Sequence, residues 1–109
     1  MIKIYGIKNC SSVKKGLDFL NQRALEFEFL DIKKLDEKTL NLWLKKRTFK
    51  ELINTAGLTA KKLGLSKEKL ESSDENALKT LVLEYPSLIK RPIIEFQDQF
   101  YIGKEYENL

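Results

Sequence analysis

The sequence has no histidine and only one cysteine, Cys10. Without histidine no imidazole base is present, so hydrolysis by a Ser/His/Asp or Cys/His arrangement is excluded. Zinc sites of the usual kinds are excluded for the same reason, and only carboxylates remain as ligands for a hard metal. A lone cysteine forms no internal disulfide, so a redox cycle needs a thiol from another molecule. We expect no bound metal.

Long apolar runs are also missing. The longest ones, such as Thr80–Leu83 and Ile93–Ile94, are far too short to cross a bilayer, and Met1 leads directly into a strand pattern without the features of a signal peptide. We therefore expect a cytoplasmic protein with no membrane partner. With 109 residues, 42% of them hydrophobic and 33% charged, the chain is predicted to form one domain around one core.

Charge of one sign is only slightly in excess. The net charge is +4, and the lysines alternate with glutamates, which is typical of solvated helix faces. This charge suits a small anionic molecule or a weakly acidic partner. Only the net charge and Lys61-Lys62 point to nucleic acid, and no arginine-rich patch with interleaved aromatic residues accompanies them. Nucleic-acid binding is the least favoured hypothesis.

What the sequence does contain is arranged around Cys10. The apolar residues before Gly6 predict a short buried strand, and Lys8–Ser12 predicts a loop that ends in a helix N-cap. From Val13 to Leu20 the apolar spacing is helical, so one face of this helix is predicted to pack on the strand. Cys10 is therefore predicted to lie at a strand-to-helix turn.

A thiol at such a turn is favoured in its thiolate form. The first N–H groups of a helix are unpaired and carry partial positive charge, and Lys8, Lys14 and Lys15 act in the same direction. The thiolate is the nucleophile, and the same N–H groups bind oxyanions, so one turn supplies both attack and anion binding. The alternative is a structural cysteine that packs as a small hydrophobe.

The second strand is predicted at Leu25–Asp31, where apolar and acidic residues alternate. Strand, helix and strand make a βαβ unit with a parallel pair, which puts the Cys10 loop at the carboxyl edge of the sheet. The region of about 36–85 predicts only helices, with Asp36 and Asp74 as N-caps and Trp43 in the core.

The chain ends in a predicted β-hairpin. Ile93–Phe96 and Phe100–Ile102 are the strands and Gln97–Gln99 the tight connection, and Lys104–Leu109 is long enough for one helical turn only. The order predicts an α/β, thioredoxin-like fold with a mixed four-stranded sheet. The single domain, 1–109, then carries an all-helical insertion at about 36–85.

Three stretches together resemble one known family. They are the segment Tyr5–Cys10, the segment Asn54–Gly57 with Lys62-Leu63 behind it, and the segment Pro86–Ile94. In this order and over the whole length they resemble the arsenate reductase-like family, which includes Spx-type transcription regulators and YffB-type proteins, and the start is most similar to the YffB type. The resemblance implies a thioredoxin-like domain with a helical insertion, and it implies that Cys10 is the reactive cysteine.

The resemblance also implies roles for Arg91 and Pro92. In family arsenate reductases an arginine before the proline that opens the third strand helps to hold the oxyanion, and Arg91 stands there; a guanidinium can bind an anion with two parallel hydrogen bonds. In thioredoxin-like folds this proline is cis and faces the cysteine, so we expect a cis Arg91-Pro92 bond. The alternative for Arg91 is a surface salt bridge.

Two departures from the family pattern bear on the substrate. Arsenate reductases have further arginines, one in the stretch corresponding to Leu52–Ala56 and one in the C-terminal part, and here only Lys61, Lys62 or Lys104 could replace them. One arginine with mobile lysines binds an oxyanion less strongly than three arginines. Many Spx-type regulators carry a second cysteine where this chain has Val13, so a disulfide switch of that kind is excluded.

The leading hypothesis is a thiol-dependent reductase with Cys10 as the nucleophile. No cofactor is bound; glutathione or another thiol is the co-substrate, and a glutaredoxin-like reductant is a possible partner. The residues that we expect to bind the substrate or its anionic part are Lys8, Asn9, Ser11, Ser12, Lys14, Arg91 and Pro92. The rival hypothesis is a non-catalytic module that docks on a larger protein, as Spx-type relatives bind RNA polymerase.

Overall fold

A computed structural model describes all residues from Met1 to Leu109. The chain forms two compact units, one of residues Met1–Ile32 with Arg91–Leu109 and one of residues Lys33–Lys90. The first unit contains strands β1 (Ile2–Gly6), β2 (Phe27–Asp31), β3 (Ile93–Phe96) and β4 (Gln99–Ile102), helix α1 (Ser11–Gln22) and a 3₁₀ helix at Gly103–Asn108. Single-domain organisation stays a prediction.

The four strands form one mixed sheet in the order β2-β1-β3-β4. β1 is parallel to β2 and antiparallel to β3, and β3 and β4 form an antiparallel hairpin. The predicted α/β class and mixed four-stranded sheet are confirmed. The hairpin turn is shorter than predicted, because Gln99 already pairs with Phe96, and only Gln97 and Asp98, both with positive φ, make the connection.

Helix α1 covers one face of the β1 region through its apolar positions. Its residues Val13 and Leu20 are buried, and Leu20 belongs to a core cluster with Ile2, Ile4, Ile94 and Tyr106. The C-terminal 3₁₀ helix is longer than the single turn predicted, because Tyr106 packs into this cluster and its ring contacts Phe19 edge-on, with ring centroids 5.0 Å apart. Burial, helped by Glu107, raises the pKa of Tyr106 above its ordinary value.

The second unit is built from short helices, as predicted. They are α2 (Glu37–Leu44), α3 (Phe49–Leu52), α4 (Leu58–Leu63), α5 (Lys67–Ser72) and α6 (Glu75–Glu84), with 3₁₀ turns at Ile32–Lys34, which begins in the first unit, and Pro86–Leu88. Asp36 and Asp74 are N-caps and Trp43 is 1% exposed, as expected from the sequence. The region is not wholly helical, since Ile53 and Ile89 form an isolated antiparallel bridge. No helix of the protein is long and apolar enough to cross a membrane.

The N-terminus of α3 carries a capping box that the sequence reading did not identify. The Thr48 hydroxyl accepts a hydrogen bond from the Glu51 N–H at 3.3 Å, and the Glu51 carboxylate accepts one from the Thr48 N–H at 3.0 Å. Thr48→Ala is expected to lower the free energy of unfolding by about 1 kcal/mol, because one helix N–H loses its acceptor. Thr48→Ser keeps the hydroxyl and is the control; equal urea midpoints for the two variants would contradict the prediction.

Candidate active site

The loop between β1 and α1 places Cys10 at the first position before the helix. Asn9 has a φ of 64°, a left-handed conformation that asparagine tolerates better than most residues, and Cys10 then returns to extended geometry as the N-cap. The Cys10 carbonyl accepts the hydrogen bond of the Lys14 N–H at 2.9 Å, but no side chain caps the helix. The free N–H groups of the first turn are therefore available to a ligand.

Helix α1 begins two residues earlier than the sequence predicted. Ser11 and Ser12 are inside the helix instead of in the loop before it. Cys10 is therefore not two residues upstream of the N-cap but is the N-cap itself, which brings its sulfur closer to the helix start than expected. Cys10 is partly exposed and is a free thiol.

The close packing of α1 against the end of β1 depends on Gly6. A Cβ atom added to Gly6 would lie 2.6 and 2.8 Å from the two methyl groups of Val13. Val13 is 1% exposed and is separated from Cys10 by less than one helical turn. Because Gly6 has no side chain, Val13 can pack directly on the end of β1. This contact fixes the position of the first turn of α1 and of the Cys10 thiol.

Cys10 opens onto a pocket of about 630 Å³ in the first unit. Its lining is mainly apolar; the lining residues are Ile7, Lys8, Asn9, Cys10, Ser11, Val13, Lys14, Leu17 and Phe29. Lys8 and Lys14 are both exposed, and neither side chain makes an ion pair in the protein. Their charge therefore remains available to an anion that enters the pocket.

Five of the predicted site residues meet at this pocket, and three do not line it. Lys8, Asn9, Ser11 and Lys14 line it together with Cys10 itself, while the other three, Ser12, Arg91 and Pro92, lie outside the lining. The structure contains no group of histidine, cysteine or acidic residues that could hold a metal ion.

Arg91 and Pro92 lie next to the strand end that carries the cysteine loop. Tyr5 near the end of β1 pairs with Ile93 at the start of β3, so Arg91 and Pro92, which directly precede Ile93, are at the edge of the sheet where β1 ends. The Arg91-Pro92 bond is cis, as predicted. Pro92 is buried, and a Cβ atom on Gly16 would lie 3.0 Å from its ring, so the proline packs directly on α1.

The sequence reading missed the apolar wall of the pocket. Ile7, Leu17 and Phe29 all line it and are partly exposed. The sequence pattern places Phe29 only on the apolar face of the second strand and Leu17 only on the packing face of the first helix. The signal that could have found them is the parallel βαβ unit itself, because its crossover brings the first turns of the helix and the carboxyl end of β2 to one edge of the sheet.

The family model that matches this chain is the ArsC family, over residues 5–109. The chain belongs to the ArsC family. An uncharacterized protein of Haemophilus influenzae is 34% identical over 113 residues, which cover 98% of this chain and 96% of the relative. The family match agrees with the resemblance read from the motifs around Cys10 and Pro92.

Solved structures of ArsC-family proteins share the fold. An arsenate reductase (ArsC) related protein from Brucella melitensis is 33% identical with a TM-score of 0.77, covering 98% of this chain and 92% of its own. A protein named YffB is 30% identical with a TM-score of 0.84, covering 98% and 95%. The thioredoxin-like ArsC fold and the YffB-like resemblance are thereby confirmed, and they support a thiol-dependent, reductase-like function for the ArsC-family chain.

Proposed function

We propose that the protein is a thiol-dependent reductase in which Cys10 attacks the substrate and glutathione, or a similar small thiol, completes the cycle. The observation that carries this proposal is the position of Cys10, partly exposed at the uncapped start of α1 and on the wall of a pocket of about 630 Å³. A helix N-terminus favours the thiolate, which is the nucleophilic form of the side chain.

Each step of the proposed cycle is a thiol–disulfide exchange. The Cys10 thiolate attacks one sulfur of a mixed disulfide RS–SG, forms a Cys10–SG disulfide and releases RS⁻, which takes up a proton. A glutathione thiolate then attacks the glutathione sulfur, which forms GSSG and returns the Cys10 thiolate. The net reaction is RS–SG + GSH → RSH + GSSG, so one glutathione thiol is consumed and the second half of GSSG comes from the substrate itself. A glutaredoxin-like protein is a possible alternative donor of thiols.

The neighbouring residues have binding roles in this proposal. The N–H groups at the start of α1, beginning at Ser11 and Ser12, hold an anionic group, and Lys8 and Lys14 raise the positive potential that attracts it. The Asn9 amide donates a hydrogen bond to the Cys10 sulfur during attack.

Arg91 stands apart from the pocket lining but at the same strand end. It supplies a further positive charge for a ligand that extends beyond the lining residues. Arsenate, the substrate suggested by the name of the Brucella relative, has less support here. Only this arginine is at a family position, and Lys61, Lys62 and Lys104 are the sole candidates to replace the other two.

Intact mass measurement tests the proposal directly. Incubation with bis(2-hydroxyethyl) disulfide is expected to add one hydroxyethylthio group to the native protein, because the Cys10 thiolate displaces the other half of the reagent. Addition of glutathione is expected to restore the original mass. Cys10→Ser is the control and must stay unmodified.

If Cys10 forms no mixed disulfide with this reagent in the native protein, the proposed reductase function is contradicted. The rival docking module predicts that outcome, together with a protein partner that still binds Cys10→Ser. A membrane or nucleic-acid partner has no part in the proposal, and the location in the cytoplasm remains an expectation from the sequence.

A further inference from the structure

The pocket beside Cys10 is larger and more apolar than a small oxyanion requires. A tetrahedral oxyanion occupies on the order of 100 Å³, the space of a few water molecules. The pocket measures about 630 Å³, which is within the range of sites that enclose organic ligands of ~300–1,000 Å³. Most of its volume therefore lies beyond the reach of an anion held at the start of α1.

The side chains on the far wall are apolar and still reachable by solvent. Leu17 projects from α1 and Phe29 from β2, and both also pack against the core cluster of the sheet, so their positions are held from behind. Ile7 adds a third apolar side chain next to the loop that carries the thiol. A ligand that covers these surfaces removes apolar area from water, which favours binding in proportion to the area buried.

The charged side chains of the lining are Lys8 and Lys14, which are close to Cys10 in the sequence. Lys8 and Lys14 are exposed, and neither is matched by an acidic residue in the lining. A ligand that fits both parts has an anionic end near the lysines, a sulfur near Cys10 and an apolar group directed toward Leu17 and Phe29.

We propose that the substrate is a mixed disulfide between glutathione and an apolar organic thiol, with the apolar group in the pocket formed by Ile7, Leu17 and Phe29. This inference rests on the proposed function. Cys10 attacks the glutathione sulfur, the bond between the two substrate sulfurs breaks, and the apolar thiolate leaves from the pocket and takes up a proton. Glutathione then attacks the glutathionyl group on Cys10, as in the cycle above.

The test measures kcat/KM for mixed disulfides of glutathione with ethanethiol, propanethiol and butanethiol. The mixed disulfide with 2-hydroxyethanethiol is the polar comparison. For the full chain with glutathione as the reductant, kcat/KM is expected to rise about fourfold for each methylene that the pocket buries, hence about fifteenfold for the two methylenes that separate ethyl from butyl. The hydroxyethyl compound is expected to be the slowest. Arsenate is expected to be reduced more slowly than the butyl compound.

A matched pair of variants locates the effect. Leu17→Gln keeps a good helix former in α1 but makes the wall polar, so the ratio of kcat/KM between the butyl and ethyl compounds is expected to fall from about fifteenfold toward one. Leu42→Gln makes the same change at a side chain 53% exposed on α2, outside the pocket, and is expected to keep the wild-type ratio.

The outcomes separate this inference from the proposed function. Turnover of all disulfides with no dependence on chain length overturns the apolar substrate and leaves the reductase standing. A chain-length dependence that survives Leu17→Gln overturns the assignment of the apolar group to this pocket. No turnover with any disulfide overturns both.

Discussion

Replacing Cys10 by serine is expected to lower turnover of a glutathione mixed disulfide by at least about a thousandfold, equivalent to ~4 kcal/mol of transition-state stabilisation. The exchange forms a disulfide bond to the attacking atom, and a serine hydroxyl has no sulfur to form it. The chain also has no histidine that could activate the serine hydroxyl as an imidazole base.

The same substitution is expected to stabilise the fold. Cys10 is the N-cap of α1 and makes no capping hydrogen bond, whereas serine is among the best N-cap residues. Cys10→Ser should therefore unfold at a higher denaturant concentration than Cys10→Ala, with a difference of about 1 kcal/mol, while both variants lose turnover. The native residue gives up helix stability at the position where the thiol is needed.

Two measurements on purified variants check this prediction. A coupled assay of GSSG formation gives turnover, and urea unfolding followed by circular dichroism gives stability. Either of two results would contradict the prediction. Cys10→Ser could keep more than a tenth of the wild-type rate, in which case the thiol is not the nucleophile. Alternatively, Cys10→Ala could equal Cys10→Ser in stability, in which case the side chain at this position does not reach the helix N–H groups.

The fold could be predicted from the sequence because local patterns and topology rules agree. Alternation in Leu25–Asp31 indicated a half-buried strand, and the βαβ rule then required it to run parallel to the first strand, as it does. Asp36 and Asp74 could be identified as N-caps because each precedes an apolar helical run. A short acidic side chain at that position accepts hydrogen bonds from the first N–H groups of the helix.

Two features could not be predicted, a local backbone turn at the end of α1 and a pairing between segments that are distant in the sequence. The strand at Phe27–Asp31 starts two residues later than its alternation suggested, because Ala24 adopts a positive φ and the Leu25 N–H bonds to the Leu20 carbonyl at the helix end. The isolated bridge of Ile53 and Ile89 joins segments with no strand pattern. Local periodicity carries no information about such pairings.

The candidate site was predicted in its polar half only. Cys10, Lys8 and Lys14 attract notice in a sequence because their chemistry is unusual at a helix start, whereas Leu17 and Phe29 look like any core residue. An apolar side chain acquires a binding role only through the surface left open in front of it, and that depends on the completed fold. The polar residues suggest which reaction the site performs, and the apolar residues suggest which substrates it accepts.

The position of the Cys10 thiol is expected to depend on the close contact between Gly6 and Val13. In Gly6→Ala the new methyl group would lie 2.6 Å from one Val13 methyl and 2.8 Å from the other, well inside contact distance. Val13 is 1% exposed and its β-branched side chain has a restricted χ1, so we expect the start of α1 to shift away from β1. We expect a loss of about 2 kcal/mol of stability and a lower kcat, because the thiol moves with the helix.

Val13→Ala separates the steric cause from any other effect of changing Gly6. Alone, it removes two buried methyl groups and costs about 1–2 kcal/mol, but in the Gly6→Ala background it makes room for the new methyl group. The double variant is therefore expected to lose at least about 1 kcal/mol less unfolding free energy than the two single variants lose together. Its turnover is expected to be higher than that of Gly6→Ala. Additive losses in urea unfolding would show that the two side chains do not compete for this space. If the double variant regains stability but not turnover, the helix is back in place and the thiol is not. Gly6 would then hold the Cys10 loop through its backbone.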